Sequence, residues 1–189
     1  MWILIAGLVV FFGIHCIRIV APDLRRRQME SNAGAWKGIY SIISFIGLGL
    51  IIWGWWVFRG EAPEIYEPPS WGRHAAMLLV LLAFILLACA NMPAGRIKAT
   101  IKHPMLTGIF LWSLGHLLAN GDLASLLLFG SFLVYSVVDR IAVAMRPDPA
   151  PQFVSGRSDI IAIVAGVVLY AIFLFWLHGW LFGVSPLAG

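Results

Sequence analysis

Five histidines are the residues whose chemistry fits least easily with the rest of this chain. They are His15, His74, His103, His116 and His178, in a sequence of 189 residues of which 61% are hydrophobic and only 12% charged. The bilayer core contains no water to solvate an imidazole, so a histidine placed there needs a partner. A bound metal centre is one such partner, because neutral imidazole is a common metal ligand.

His15 and His116 are predicted inside helices and are the leading candidate metal ligands. His116 follows Ser113 and Gly115, whose small side chains leave room for a bulky planar group. Two imidazoles from different helices can bind the two faces of haem iron. Each histidine also has a plainer interpretation. His15 could donate to a backbone carbonyl of a neighbouring helix, and His116 could lie at the outer headgroups.

One aromatic and three basic residues could also contact such a cofactor. Trp112 lies one turn before His116 and could line a planar ligand, although packing explains it equally well. Arg18 is a candidate partner for the haem propionates, as are Arg73 and Lys102.

The remaining histidines are predicted near helix ends. His103 directly precedes Pro104, which favours the first turn of a helix, and could serve a cofactor's anionic groups or be solvated. His74 is a reserve metal ligand whose default is a solvated surface. His178 is expected to reach the membrane interface.

Long uncharged segments must position these residues. A helix needs about 20 mainly apolar residues to cross the hydrocarbon. Such segments cover residues 2–17, 38–58, 74–95, 104–120, 123–138 and 160 to the C-terminus. We expect an all-α bundle of about six transmembrane helices in one domain over residues 1–189, with the fourth and fifth helices the shortest. Prolines, including Pro147, break helices at residues 61–70 and 146–156, and residues 93–102 suggest a short interfacial helix.

The distribution of basic residues predicts the topology. If the first, third and fifth loops are cytoplasmic, 11 of the 13 Lys and Arg residues lie inside and only Arg59 and Arg73 lie outside. This asymmetry favours an even number of spans with both termini on the outer, periplasmic side. The basic residues form no continuous stripe, so nucleic acid is not an expected partner, whereas membrane lipids are.

Other features of the sequence predict helix contacts and exclude some chemistries. Small residues at Gly34, Gly38 and Ser41, and at Gly108 and Gly115, mark faces where helices could pack closely. The sequence contains no phosphate-binding glycine loop, no nucleophile elbow and no motif for covalent haem attachment. Its carboxylates are expected outside the span interiors, with residues 122 and 139 at helix ends, which argues against a proton-coupled transporter.

Two blocks of sequence resemble the NnrU family of bacterial membrane proteins. The first joins residues 13–15 with 25–27 and 36–41, and the second covers residues 102–108 and 111–122. The resemblance implies a multi-pass protein of the bacterial inner membrane with a role in denitrification and nitric oxide metabolism. The partner protein and the substrate are not implied.

The same family is similar to zeta-carotene isomerase, a membrane enzyme with b-type haem. That likeness implies haem b as cofactor, His15 and His116 as axial ligands, and a hydrophobic polyene as substrate if the protein is an isomerase. Ser113 stands where the isomerase has a cysteine proposed to exchange onto the iron, so haem binding is expected with or without the isomerase activity. Whether the protein is an enzyme stays open.

A fainter likeness connects the chain with isoprenylcysteine carboxyl methyltransferases through His103, Pro104 and Gly108. Residues 139–146 lack the acidic pair that helps those enzymes bind S-adenosylmethionine. A methyltransferase-like enzyme and a non-catalytic membrane component are therefore the alternatives to a haem protein.

Overall fold

The computed structural model describes residues 1–146 and 149–187. Every named element of secondary structure in these residues is a helix. In chain order they are α1 (Trp2–Val20), α2 (Pro22–Phe58), α3 (Gly72–Ala90), α4 (Arg96–Ile101), α5 (Pro104–Ala119), α6 (Leu123–Ala144), α7 (Arg157–Ile172), a π-helical turn (Phe173–Leu177) and α8 (His178–Phe182). The predicted all-α fold is confirmed for this part of the chain. Pro147 and the last two residues of the sixth predicted segment lie outside the described residues.

The chain forms two compact units. The first unit contains Met1–Ile65 and Asp122–Ser131, and the second contains Tyr66–Gly121 and Phe132–Gly189. Helices α1 and α2 belong to the first unit, whereas α3, α4, α5, α7 and α8 belong to the second. Helix α6 contributes its first residues to the first unit and the others to the second.

Five helical segments of the described chain are long and apolar enough to cross a membrane. They are Trp2–Val20, Pro22–Phe58, Gly72–Ala90, Leu123–Ala144 and Arg157–Phe182. Helix α5 is apolar but has only 16 residues, about 24 Å at 1.5 Å per residue, against a hydrocarbon core of about 30 Å. The multi-pass character is therefore supported, while the sixth span and the side of the termini stay predictions.

Two predicted boundaries were wrong because helices continue through charged residues. The basic segment predicted as the first loop is helical, since α2 begins at Pro22 and continues to Phe58 with one break at Asn32 (φ −157°, ψ 85°). Helix α6 continues past residue 138 to Ala144. Asp139 consequently lies within α6 and is only 1% exposed, so the expectation that its carboxylate lies at a helix end is also wrong.

Glycines bring α1 and α2 of the first unit into close contact. A Cβ on Gly7 would come within 2.6 Å of the Ile51 nitrogen, and a Cβ on Gly47 within 2.7 Å of the Phe11 nitrogen. The face predicted from Gly34 and Gly38 is wrong as a helix contact, because a Cβ on Gly38 would meet nothing within 4 Å. A stripe of small residues permits close packing, but only the partner helix decides which stripe is used.

In the second unit α3 packs against both α5 and α7. Gly108 and Gly115 of α5 face α3, where a Cβ on either would lie 3.2 to 3.3 Å from the carbonyl oxygens of Ala83 and Ala76. This confirms the predicted packing face of α5. Gly166 of α7 approaches the Ile85 backbone of α3, with an added Cβ only 2.6 Å from its Cα.

The predicted short helix within residues 93–102 is α4, and it is held by charged side chains. The Asp159 carboxylate at the start of α7 accepts hydrogen bonds from the backbone nitrogens of Arg96 (2.7 Å) and Ile97 (3.2 Å). These are donors that a helix N-terminus leaves unsatisfied. The Lys98 ammonium donates to the Ala90 and Met92 carbonyls at 2.8 Å each. These bonds set the position from which α5 begins.

Candidate functional site

His116 lies in the last turn of α5 with its ring orientation set by a hydrogen bond. Its Nδ1 lies 2.8 Å from the carbonyl oxygen of Trp112, one turn earlier. A carbonyl only accepts, so Nδ1 donates, and the neutral ring carries its lone pair on Nε2. Metal-binding histidines commonly have this second bond, which sets both tautomer and orientation. In His116, which the sequence analysis predicts as a metal ligand, a metal would therefore be bound through Nε2.

A second histidine, His178, lies beside His116 in the same unit. The two ring centroids are 6.4 Å apart and the ring planes differ by 17°. His178 Nδ1 donates to the Val184 carbonyl at 2.6 Å, so its Nε2 also carries the lone pair. An imidazole nitrogen binds a metal at about 2 Å, so two rings on opposite sides of one ion have centroids roughly 6 Å apart. The separation of this pair agrees with that distance.

The π-helical turn Phe173–Leu177 ends directly before His178. Such a turn adds a residue to the helix, and so changes the face on which the following side chains lie. It is frequently found at functional sites. His178 and Phe182 follow it, with ring centroids 5.1 Å apart. The sequence did not predict the pairing of His178 with His116, because no residue type in this segment marks a π-helical turn.

The backbone around His116 is held by Tyr66, from the loop before α3. Its hydroxyl donates to the carbonyl oxygens of Leu117 and, at 2.7 Å, of Asn120. The Asn120 side-chain amide in turn donates to the His116 carbonyl at 2.8 Å. A Cβ on Gly121 would overlap the Tyr66 carbonyl, so only glycine fits there. The last turn of α5 therefore has partners for carbonyls that a helix C-terminus otherwise leaves unsatisfied.

The first turn of α3 lies at the same end of the unit as His116. A Cβ on Gly72 would overlap the Leu118 carbonyl of α5, so these two backbones are in close contact. Arg73 and His74 follow Gly72 and are exposed. Arg73 is thus a cation near the end of α5 that could meet an anionic group. His74, the reserve ligand of the sequence analysis, lies on the exposed side of this turn.

Aromatic and small residues surround His116 on its own helix. The Trp112 ring centroid lies 5.1 Å from that of His116 and 5.5 Å from that of Phe132 on α6. Trp112 therefore has the packing contact that was one of its two predicted roles. Ser113 is fully buried, and its Oγ has no hydrogen-bond partner among the described residues.

In the first unit, His15 has the same local geometry as His116. Its Nδ1 donates to the Phe11 carbonyl at 2.6 Å. Its ring stacks on Phe11 with centroids 4.1 Å apart, and the Tyr40 ring lies at 5.1 Å. The hydrogen bond from His15 Nδ1 therefore goes to a carbonyl of its own helix rather than to one of a neighbouring helix. In His15 a metal would likewise be bound through Nε2.

The other two predicted cofactor contacts have separate positions. Arg18 lines a cavity of the first unit together with Arg25 and Lys37 of α2. His103 lies directly before α5, where its carbonyl accepts a hydrogen bond from the Thr107 hydroxyl at 3.3 Å. The methyltransferase-like alternative, which depends on His103, stays a prediction.

The family model for NnrU proteins matches residues 3–186, nearly the whole chain. The chain belongs to the NnrU family. No curated protein and no solved structure matches it. The predicted family is thus confirmed, and the likeness to zeta-carotene isomerase stays a prediction.

Haem and a bare metal ion differ in the number of ligands that they need from this NnrU protein. Within residues 1–146 and 149–187, no group of three or more His, Cys, Asp or Glu side chains could hold a metal. Haem iron already has four porphyrin nitrogens and needs only one or two axial ligands from the protein. The pair His116 and His178 can supply two imidazoles, and the aromatic neighbours Trp112 and Phe182 suit an apolar ring system.

Proposed function

We propose that this NnrU protein is a membrane haem protein with a redox or nitric-oxide-linked role, in which His116 is an axial ligand of b-type haem. One observation carries the proposal. His116 and His178 lie in one unit with nearly parallel rings whose centroids are 6.4 Å apart, and both donate through Nδ1 to backbone carbonyls. In each neutral ring Nε2 is therefore the basic nitrogen, which is the atom that would bind a metal.

Two histidines are candidates for the second axial position. His178 is supported by its distance from His116. His15 is supported by the family resemblance and by its own bond to the Phe11 carbonyl. The two candidates make different predictions for the single variants, because only a true ligand changes the spin state of the iron when it is removed.

Bound haem would supply a one-electron iron couple and a site for small diatomic ligands such as nitric oxide. The protein's own residues have defined parts in this. The Trp112 carbonyl keeps Nε2 of His116 unprotonated. Tyr66 holds the turn of α5 from which His116 projects. The Trp112 ring packs beside the imidazole, and Phe132 packs against Trp112.

Polyene isomerisation is the enzymatic alternative that the family resemblance implies, and Ser113 is the residue at which this chain departs from the isomerase. This buried hydroxyl lies three residues before His116 without a hydrogen-bond partner in the described chain. By the family resemblance it occupies the position of the isomerase's iron-exchanging cysteine. A bound hydrophobic substrate would be a cis-polyene. Incubation of the haem-loaded protein with such a polyene, followed by chromatographic separation of the isomers, tests the activity.

The absorption spectrum of the detergent-purified protein, expressed with ample haem, tests the proposal. We expect a Soret band that His116→Ala removes. If His178 is the second ligand, His178→Ala converts the iron from low spin to high spin and His15→Ala leaves it unchanged. If His15 is the second ligand, the two results are exchanged.

His74→Ala is the matched control, since His74 is an exposed histidine in the first turn of α3. It should keep the full spectrum. A folded wild-type protein without haem overturns the proposal. A His116→Ala variant that keeps the wild-type haem content and spin state also overturns it. Addition of nitric oxide to the reduced protein tests the proposed role through a shift of the Soret band.

A further inference from the structure

A basic cavity of about 390 Å³ lies in the first unit. Its lining has an apolar part and a polar part. The apolar part consists of Ile14 and Ile17 of α1 with Met29 and Trp36 of α2. The polar part consists of Arg18, Arg25, Lys37, Tyr40 and Ser41. We call it the α1–α2 basic cavity.

The break in α2 brings the polar residues of this cavity together. Arg25 lies before the break at Asn32, and Lys37 lies after it, yet both line the same cavity. The Asn32 side chain accepts a hydrogen bond from the Ala35 nitrogen at 2.9 Å, which caps the second half of the helix. An uninterrupted helix would carry Arg25 and Lys37 twelve residues apart along a straight axis, about 18 Å. The break is therefore part of how the cavity is built.

The lining of the α1–α2 basic cavity carries three positive charges and no acidic residue. The acidic residues that lie beside the lining in sequence, Asp23 and Glu30, do not line the cavity, and Asp23 pairs with Arg26 at 2.7 Å on the exposed side of the helix. Three like charges around one space repel each other, and a bound anion relieves that repulsion. Arginine matches phosphate oxygens with two parallel hydrogen bonds, and lysine binds phosphate as a point charge. The hydroxyls of Tyr40 and Ser41 add further donors.

The apolar part of the lining indicates that the anion carries a hydrocarbon group. Residues beside the cavity on α2 are strongly exposed and apolar, with Ile39 53% and Ile42 62% exposed. In a chain with several helices able to cross a membrane, such surfaces face lipid chains. Basic pockets beside transmembrane helices are known sites for phosphate headgroups. Charge and apolar surface thus occur together, as a phospholipid requires.

We propose that the α1–α2 basic cavity binds the phosphate headgroup of an anionic phospholipid, with the acyl chains along the exposed apolar face of α2. Arg18, Arg25 and Lys37 hold the phosphate, and Tyr40 and Ser41 donate to its oxygens. The site is separate from the proposed haem ligation by His116 and does not depend on it.

Native mass spectrometry of the protein taken from nanodiscs tests this proposal. The discs contain either phosphatidylglycerol or phosphatidylcholine as the only lipid. We expect one retained phosphatidylglycerol per chain and little retained phosphatidylcholine. The double variant Arg25→Gln/Lys37→Gln should reduce the retained phosphatidylglycerol at least fivefold. The control Arg26→Gln/Arg27→Gln removes the same charge from the same helix outside the cavity and should retain the lipid.

Further measurements distinguish a lipid phosphate from a free phosphate, and lipid binding by the cations from haem binding. Equal loss in both double variants, or equal retention of the two lipids, overturns the proposal. Displacement of the lipid by millimolar inorganic phosphate reassigns the cavity to a soluble phosphate and also overturns it. Haem content is measured on the same samples. If the Arg25→Gln/Lys37→Gln variant loses haem but keeps lipid, the cations serve propionates instead. The variant Tyr40→Phe keeps the shape of the side chain and removes only its hydroxyl. It should reduce the retained phosphatidylglycerol about two- to tenfold, which tests the site even if the double variant misfolds.

Discussion

At the scale of single residues, the polar groups of this chain are informative because an apolar environment makes an unsatisfied group costly. His15, His116 and His178 each satisfy one ring nitrogen with a backbone carbonyl. The same bond makes the opposite nitrogen basic, so a single contact both stabilises the ring and prepares it for a metal. This local geometry arises from spacing in a helix for two of the three, since their acceptors lie four residues earlier.

Ser113 and Ser136 provide a matched comparison of buried hydroxyls. Ser113 has no hydrogen-bond partner in the described chain, whereas the Ser136 hydroxyl donates to the Leu133 carbonyl at 2.7 Å. We expect Ser113→Ala to leave the free energy of unfolding unchanged or slightly higher, and Ser136→Ala to lower it by about 1 kcal/mol. Thermal unfolding in detergent, followed by circular dichroism, measures both. A clear loss of stability in Ser113→Ala would mean that this hydroxyl contacts a bound molecule.

Tyr66 gives a prediction about the orientation of His116. Removing its hydroxyl in Tyr66→Phe leaves two carbonyls at the end of α5 without their donor. We expect a stability loss of about 1 to 2 kcal/mol and, if His116 binds haem, faster haem loss to a scavenger protein. Tyr135→Phe is the control, because the Tyr135 hydroxyl donates to Asp139 of its own helix, at a long 3.5 Å. Similar haem loss in both variants would contradict the role given to Tyr66.

At the scale of helices, glycines decide which faces meet. Gly54 of α2 lies against the backbone of Leu4 in α1, and an added Cβ would overlap the Leu4 nitrogen. Gly49 of the same helix has open space at that position. Composition does not distinguish the two residues, since both are glycines in one apolar stretch. The difference between them is created by the partner helix.

This difference predicts opposite effects of one substitution. Gly54→Ala must push α1 and α2 apart, with a loss of about 2 kcal/mol or more expected from overpacking against a backbone. Gly49→Ala should be neutral or stabilising by up to about 1 kcal/mol, because alanine favours helices over glycine. Thermal midpoints of the two variants in the same detergent provide the measurement. Equal midpoints would show that α1 and α2 do not pack through Gly54.

Asp159 tests the connection that begins α5. Its carboxylate accepts from two backbone nitrogens at the start of α4, and a Cβ on Gly95 would overlap it. Asp159→Ala should cost about 0.5 to 2 kcal/mol, as for other lost helix caps. Faster amide hydrogen exchange at Arg96 and Ile97 would locate the effect. Exchange that stays at the wild-type rate at both amides would contradict the capping role.

At the scale of the whole molecule, the number of spans remains the most consequential prediction. Five segments are long enough to cross a membrane, and the 16-residue α5 is the uncertain one by length. Six spans place both termini on the same side, and five place them on opposite sides. The distribution of basic residues predicts both termini outside, because 11 of the 13 lie in loops assigned to the inner side.

Reporter fusions decide the number of spans. We expect an enzyme active only in the periplasm, fused after residue 187, to be active, and the same enzyme inserted in residues 149–155 to be inactive. The same reporter inserted in residues 61–65 should be active, as the outer position of that loop requires. Inactivity after residue 187 combined with activity at residues 61–65 would contradict the six-span topology.

Composition and the length of the apolar segments were sufficient to predict an all-α membrane protein with His15 and His116 in helices, because burial in lipid leaves few alternatives for an apolar chain. The NnrU family was predicted from the resemblance of two blocks of sequence, and the family model confirms it. Helix ends near charges were predicted less well. The basic first segment is helical although its charged side chains are exposed, whereas Asp139 is buried within α6. A charged residue therefore marks neither the end of a helix nor exposure to water in this chain.

Contacts between residues distant in sequence were decided only by the tertiary structure. His116 and His178 are 62 positions apart, and their proximity depends on α3 packing against both α5 and α7 and on a π-helical turn before His178. The α1–α2 basic cavity depends likewise on a helix break at Asn32. A sequence specifies what each helix can bury and where it can bend, but the direction in which a side chain points follows from the helices that pack against it.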